Sequence, residues 1–301
     1  MRQRGKTKRD TRKDRMITIL LVCVLLAGIV IVAYPSVSNW WNDQVTTRAV
    51  ATYDEAVADL SETDYTAYFE AAEAYNEQLA EIGSARTIPS PELVDEDYWD
   101  LLDVSGTGVM GYVTIEKIDV QLPIYHGTDV NVLQTASGHL EGSSLPVGGE
   151  STHCVISAHR GLPSALLFTH LDQMEIGDTF TITVLDRVMT YEVDQISIVD
   201  PSEIEYLYIE EGKDYCTLLT CTPYGVNSER LLVRGVRVEN ADTRLINVTA
   251  EAKKLSPLLA TPILAVPMMG LLMIWVFWDS HRVRNKSKKE KQEKQETGTA
   301  S

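Results

Sequence analysis

The sequence predicts a mainly β domain approached by a pair of helices and flanked by two transmembrane helices. Three observations carry this. Short runs rich in Val, Ile, Thr and Tyr, separated by turn residues, fill the stretch from Gly111 to about 240. Apolar residues recur every three or four positions between Trp40 and Glu81. Two long runs without a charge, Met16 to Tyr34 and Leu255 to Trp278, lie near the ends of the 301-residue chain.

The first apolar run is long enough to span a hydrocarbon core of roughly 30 Å at about 1.5 Å per residue. Eight basic and two acidic residues precede it, which keeps the N-terminus in the cytoplasm. A cleaved signal peptide is the alternative, but the run lacks a small-x-small site and exceeds a signal core of about 7–15 residues. The second run contains Pro257, Pro262 and Pro267, which membrane helices tolerate, and ends in a basic tail. The predicted order is therefore a cytoplasmic tail (1–15), a span (16–34), an extracellular helical region (35–82), a linker (83–110), a β domain (111–240), a juxtamembrane linker (241–254), a second span (255–278) and a second cytoplasmic tail (279–301).

The whole chain carries a net charge of −16. Both tails are basic, so the 12 basic and 37 acidic residues between the tails leave the exported part at −25. Such a surface argues against nucleic acid as a partner and suits basic partners or plain solubility. The basic tails are explained by topology, since they adjoin the spans.

Within the helical region Val45, Ala49, Tyr53, Ala56, Val57 and Leu60 form one periodic face. Ser61 or Thr63 can cap a second helix, whose face is Tyr68, Ala71, Ala72, Tyr75 and Leu79. Gly83, Pro89 and Pro91 mark the linker. Strands are expected at 112–118, 120–125, 152–159, 179–185, 188–199, 214–221 and 231–239, with a short helix at Ser164–Leu171. Pattern alone leaves barrel and sandwich both open.

Chemistry concentrates at strand ends. His159 closes one run, Cys221 closes another and opens a turn, and Arg230 begins the next. A thiol needs a neighbouring imidazole to act as nucleophile near neutrality, and a guanidinium stabilises the oxyanion of a tetrahedral intermediate. Together the three types point to acyl transfer. Strand alternation puts Cys154 on the face opposite His159 and Cys216 on the face opposite Cys221, so both read as small buried hydrophobes, with a Cys154–Cys216 bridge as the alternative. Three exported cysteines cannot all pair with one another, and no metal-ligand spacing occurs. His126, His139, His153, His170 and His281 are the competing histidines. His153 lies six residues back along the strand of His159, about 20 Å, so both cannot serve one thiol.

The string Thr217-Leu218-Leu219-Thr220-Cys221 with Arg230 resembles the TLxTC…R signature of sortases. Leu122-Pro123-Ile124-Tyr125-His126-Gly127-Thr128, Gly138-His139-Leu140-Glu141-Gly142-Ser143-Ser144-Leu145-Pro146 and Ser157-Ala158-His159-Arg160-Gly161-Leu162-Pro163-Ser164 are similar to the class C, pilin-polymerising branch. The resemblance runs from about Gly111 to Glu239 and implies the eight-stranded sortase β-barrel. It further implies a cysteine transpeptidase with Cys221 as nucleophile, His159 as general acid and base, and Arg230 as oxyanion stabiliser. The implied substrates are pilins or surface proteins bearing an LPxTG-like signal, with a pilin Lys or a wall-peptide amine as acceptor. No metal or organic cofactor is implied.

Class C sortases usually carry an Asp-Pro-aromatic lid before the barrel, and this chain has no such tripeptide. Asp95, Asp97, Tyr98 and Trp99 are the residues that can substitute; Tyr98-Trp99 can equally pack on the barrel at the start of a helix. A wall-anchoring sortase and a catalytically silent membrane scaffold are the rival readings. Class C strings and the second span oppose the first, and the intact His159, Cys221 and Arg230 oppose the second.

Overall fold

The computed structural model describes residues 8–81, 96–240 and 270. The expected second span, apart from Gly270, residues 83–95 of the first linker with Asp95, the whole juxtamembrane linker and the C-terminal tail with His281 lie outside the described residues. Two compact units divide the chain, Met1–Ser36 with Thr249–Ser301, and Val37–Val248.

The first described element is helix α1, Lys8–Ala58. Its apolar part reaches a mean hydropathy of 3.2, and among the described residues it is the one helix long and apolar enough to cross a membrane. Sequence reading separates a span ending at Tyr34 from a later helix, but the helix runs on through Pro35. A proline removes one backbone donor, and a helix of this length keeps enough other hydrogen bonds to continue.

Helix α2, Glu62–Glu81, starts where Ser61 caps it. The amide of Asp64 donates to Ser61 Oγ at 3.4 Å, while Asp64 Oδ2 accepts from the Ser61 amide at 2.9 Å, a reciprocal cap with Asp in place of the usual Glu. Asp64 and Glu62 also place negative charge on the helix N-terminus. Phe69 and Ala72 of α2 join Tyr53 and Val57 of α1 in the main core.

Eight strands follow: β1 Val109–Ile115, β2 Val120–His126, β3 Ser137–His139, β4 Thr152–Ser157, β5 Thr179–Val184, β6 Arg187–Val199, β7 Asp214–Thr222 and β8 Glu229–Val238. They close into a barrel in the order β1-β2-β3-β4-β7-β8-β6-β5. Closure leaves no unpaired sheet edge. The seam between β1 and β5 requires a glycine, since a Cβ on Gly111 would sit 2.3 Å from the Thr183 carbonyl oxygen. Tyr53 of α1 spans the same seam: its hydroxyl donates to Met110 O at 2.9 Å and accepts from the Leu185 amide at 2.8 Å.

No helix forms at Ser164–Leu171; the stretch is a series of turns ending in a 3-10 turn at Leu171–Gln173. Leu167 adopts a left-handed backbone, φ 43°, which a helix cannot contain. The local amides are spent elsewhere, that of Leu166 on Asn39 Oδ1 and that of Phe168 on His159 O.

Strand parity sorts the barrel wall into two faces. Cys154 and Ile156 of β4, Cys216 and Leu218 of β7, and Leu231 and Val233 of β8 face the main core inside the barrel. The intervening Val155 and Leu232, with Val199 and Leu207, form a second cluster that Leu219 flanks, on the outer side of the same wall.

Candidate active site

The three strand-end residues lie at the same end of three neighbouring strands. β4 and β7 are parallel, and their last register pair is Ser157 with Leu219. The Ala158 amide then donates to Leu219 O at 3.2 Å, and Thr220 Oγ1 donates to Ala158 O at 2.8 Å, so the two chains stay together one step further. His159 and Cys221 each lie two residues past the last pair, hence at the same level and on the same face. β7 and β8 are antiparallel, and Cys221 is the direct register partner of Arg230. Directly opposed residues in an antiparallel pair point to one face, with Cβ atoms about 4.5–5.5 Å apart. Cys221 therefore lies directly opposite Arg230 on β8 and level with His159, which follows the end of β4.

All three residues are half-buried. Burial lowers the His159 pKa below its ordinary value of 6.5, which keeps the imidazole neutral near pH 7 and able to accept the thiol proton. Cys221 is a free thiol. Arg230 is oriented by its own turn, Nη1 donating to the carbonyls of Glu229 at 3.2 Å and Asn227 at 3.4 Å. The Asp200 carboxyl is held low, first by the hydroxyl and amide of Ser202 and to a lesser degree by the charge of Arg230.

Arg160 ties the two loops of the rim together and escapes sequence reasoning. Its Nη1 donates to Thr222 Oγ1 at 3.3 Å, next to Cys221, and its Nη2 pairs with Asp172 at 2.6 Å. Its side chain is only 10% exposed. Gly161, in a left-handed conformation at φ +77°, lets the ring of Tyr224 come within 3.0 Å of where a Cβ would be. The only sequence signal for Arg160 is its place directly after His159.

The rival histidines are occupied elsewhere. His153 Nδ1 donates to Tyr208 O at 2.8 Å and Nε2 accepts from Thr217 Oγ1 at 2.7 Å, and burial draws its pKa down to about 4. His126 bridges the carbonyls of Gly108 and Leu101, with burial lowering its pKa. His170 Nδ1 accepts from Gln173 Nε2 at 3.2 Å. His139 Nε2 donates to Ser144 O at 2.9 Å, which leaves Nδ1 to accept from the Tyr98 hydroxyl at 2.8 Å.

That last bond locates the expected lid residues. Tyr98 is fully buried in a 3-10 turn, Glu96–Trp99, stacked edge-on against His126 and Trp99, with its hydroxyl also accepting the Gly127 amide at 3.2 Å. Its hydrogen bonds and ring contacts go to the β2–β3 side of the barrel, to Trp99 and to Tyr75 of α2, and none reaches His159, Cys221 or Arg230. Trp99 is 45% exposed and Asp97 is exposed.

This barrel with a strand-end Cys, His and Arg defines a class of protein that known families can be measured against. Residues 113–238 match the family described as Sortase domain. The solved structure of sortase C1 from Streptococcus agalactiae is 49% identical, with 64% of this chain and 100% of that chain covered at a TM-score of 0.61. Sortase C from Streptococcus pneumoniae is 44% identical, with 64% and 97% covered and a TM-score of 0.57; its structure is described as informing catalysis and pilin substrate specificity. Sortase D of Bacillus subtilis is 30% identical over 131 residues, 42% of this chain and 63% of that protein, so the match spans just under two thirds of that curated relative. The chain belongs to the sortase family, and its structural neighbours place it with the class C sortases.

Proposed function

We propose that the chain is a membrane-anchored cysteine transpeptidase that cleaves an LPxTG-like sorting signal between Thr and Gly and transfers the acyl group to a pilin Lys. The observation that carries this is the rim register: Cys221 opposite Arg230, and His159 level with Cys221 on the other side. Cys221 gives its proton to His159 and its sulfur attacks the Thr carbonyl; Arg230 stabilises the oxyanion that forms. As the Thr–Gly bond breaks, His159 returns the proton to the departing Gly amine, leaving a thioester on Cys221. His159 then takes a proton from the incoming Lys amine, whose nitrogen displaces the sulfur. Similarity to class C structures, one of them described in terms of pilin substrates, supports the pilin acceptor.

Helix α1 supplies the first anchor, and the sequence places a second span at 255–278 with both termini in the cytoplasm and the barrel outside. An exported surface at −25 suits a basic acceptor. The reading is tested by supplying purified protein with a sorting peptide and two competing acceptors, a Lys-bearing pilin domain and a wall-peptide amine. Transfer to the pilin Lys is expected, with an acyl adduct on Cys221 detected by mass spectrometry. Preferential transfer to wall peptide rejects the polymerase reading, and an adduct on Cys154 or Cys216 rejects the site.

A further inference from the structure

The inner face of the same two strands carries a pair of thiols. Cys154 of β4 and Cys216 of β7 are register partners, turned into the barrel, 3% and 0% exposed. Neighbouring strands lie about 4.8 Å apart, within the roughly 4.4–6.8 Å between Cα atoms that a disulfide bridges. Both lie in the main core and both are free thiols in this structure. We propose that Cys154 and Cys216 are joined by a structural disulfide as the chain folds outside the cell, with an external disulfide, small-molecule or protein, as the oxidant. The extracellular setting rests on the topology proposed above.

The step is a pair of thiol–disulfide exchanges. The Cys154 sulfur attacks one sulfur of the external disulfide, whose own S–S bond breaks and whose departing thiolate takes up a proton. The Cys216 sulfur then gives up its proton and attacks the Cys154 sulfur, expelling the second thiolate. Two cysteines are oxidised, one disulfide is reduced to two thiols, and the electrons balance. The roles of the two sulfurs are interchangeable in this scheme. Once β4 and β7 have closed, an external disulfide has no path to so buried a pair, so exchange occurs as the strands come together.

The bond has a use for the site. It fastens the two strands that lead to His159 and Cys221. The test is a peptide map of the full chain made in a cell-free reaction with detergent micelles and a buffer of reduced and oxidised glutathione. The product is denatured without reduction, alkylated with N-ethylmaleimide and digested. A cross-linked peptide joining Cys154 and Cys216 is expected, with Cys23 and Cys221 alkylated. Reduction should then lower the thermal midpoint by on the order of 10 °C, and should leave a Cys154→Ala, Cys216→Ala double variant unmoved. Alkylation of both Cys154 and Cys216, or a bond from either to Cys23 or Cys221, overturns the proposal. Should the double variant not fold, the peptide map decides alone. Acyl transfer assayed on the same preparation reports on Cys221 separately, so failure of the disulfide and failure of the transpeptidase reading are told apart.

Discussion

The two faces of the β4–β7 wall carry the same kinds of side chain in different surroundings. Outside are Cys221, His159 and Arg230, half-buried at the rim; inside are Cys154 and Cys216, sealed in the core beside His139. His139 spends both ring nitrogens on Tyr98 and Ser144, whereas His159 is half-buried at the rim, level with Cys221 of the neighbouring strand. Residue type is therefore a poor guide to reactivity in this wall. Access and unspent hydrogen-bonding capacity separate a nucleophile from a packing residue.

Substitutions at the outer face should cost activity and leave stability nearly untouched. Cys221→Ala removes the sulfur proposed to attack, and thioester formation is expected to vanish, a loss of at least about 10⁴-fold in kcat; His159→Ala should follow closely. Mass spectrometry of the acyl-enzyme and a transfer assay would read both, and substantial residual adduct at either would break the assignment. Arg230→Lys keeps the charge but not the planar fork, so kcat should fall roughly 10²–10³-fold with KM little changed. Activity near wild type would recast Arg230 as a barrel-edge residue.

Behind the rim the expectation reverses, with stability moving and activity holding. His153 titrates near 4 when folded against 6.5 when unfolded, so the unfolded state binds more protons between these values. Its stabilising contribution is full above pH 6.5 and is lost as pH falls towards 4, by about 3 kcal/mol in all. Urea unfolding across that range should show the decline, and a flat profile would sink the account. Tyr98→Phe strips the donor from the buried Nδ1 of His139 and the acceptor from the Gly127 amide, at a cost of about 1–3 kcal/mol. Transfer rates should hold in that variant; a large change in rate would return Tyr98 to a lid role. The smallest effect concerns the acid limb of kcat/KM, expected below pH 6.5 because burial lowers His159, and a limb above that value would contradict the local environment.

How much of this was legible depended on how local the determinant is. Strand ends and parity are local, and they put His159, Cys221 and Arg230 at the rim and Cys154 and Cys216 in the core. The barrel itself came from the motif strings, because alternation cannot tell a closed sheet from a sandwich. β3 escaped notice because Ser137-Gly138-His139 has no β-branched or aromatic residue, and the strand exists only through pairing with β2 and β4. The helix expected at Ser164–Leu171 failed for a tertiary reason, since its amides are taken by Asn39 and His159. Arg160 was invisible because its partners, Asp172 and Thr222, are brought to it only by the folded loops.

Tyr53 carries a consequence for proteolysis. The exposed turn at Ser61 is the natural place for a protease to nick the chain ahead of the barrel. Yet Tyr53, Val57 and Val50 are buried upstream of that turn, and the Tyr53 hydroxyl holds both sides of the β1–β5 seam. A cut at Ser61 would therefore not free the barrel from α1. The severed α1 would stay seated by its packing and the Tyr53 hydrogen bonds, and the enzyme would persist as a two-piece complex that only unfolding could separate.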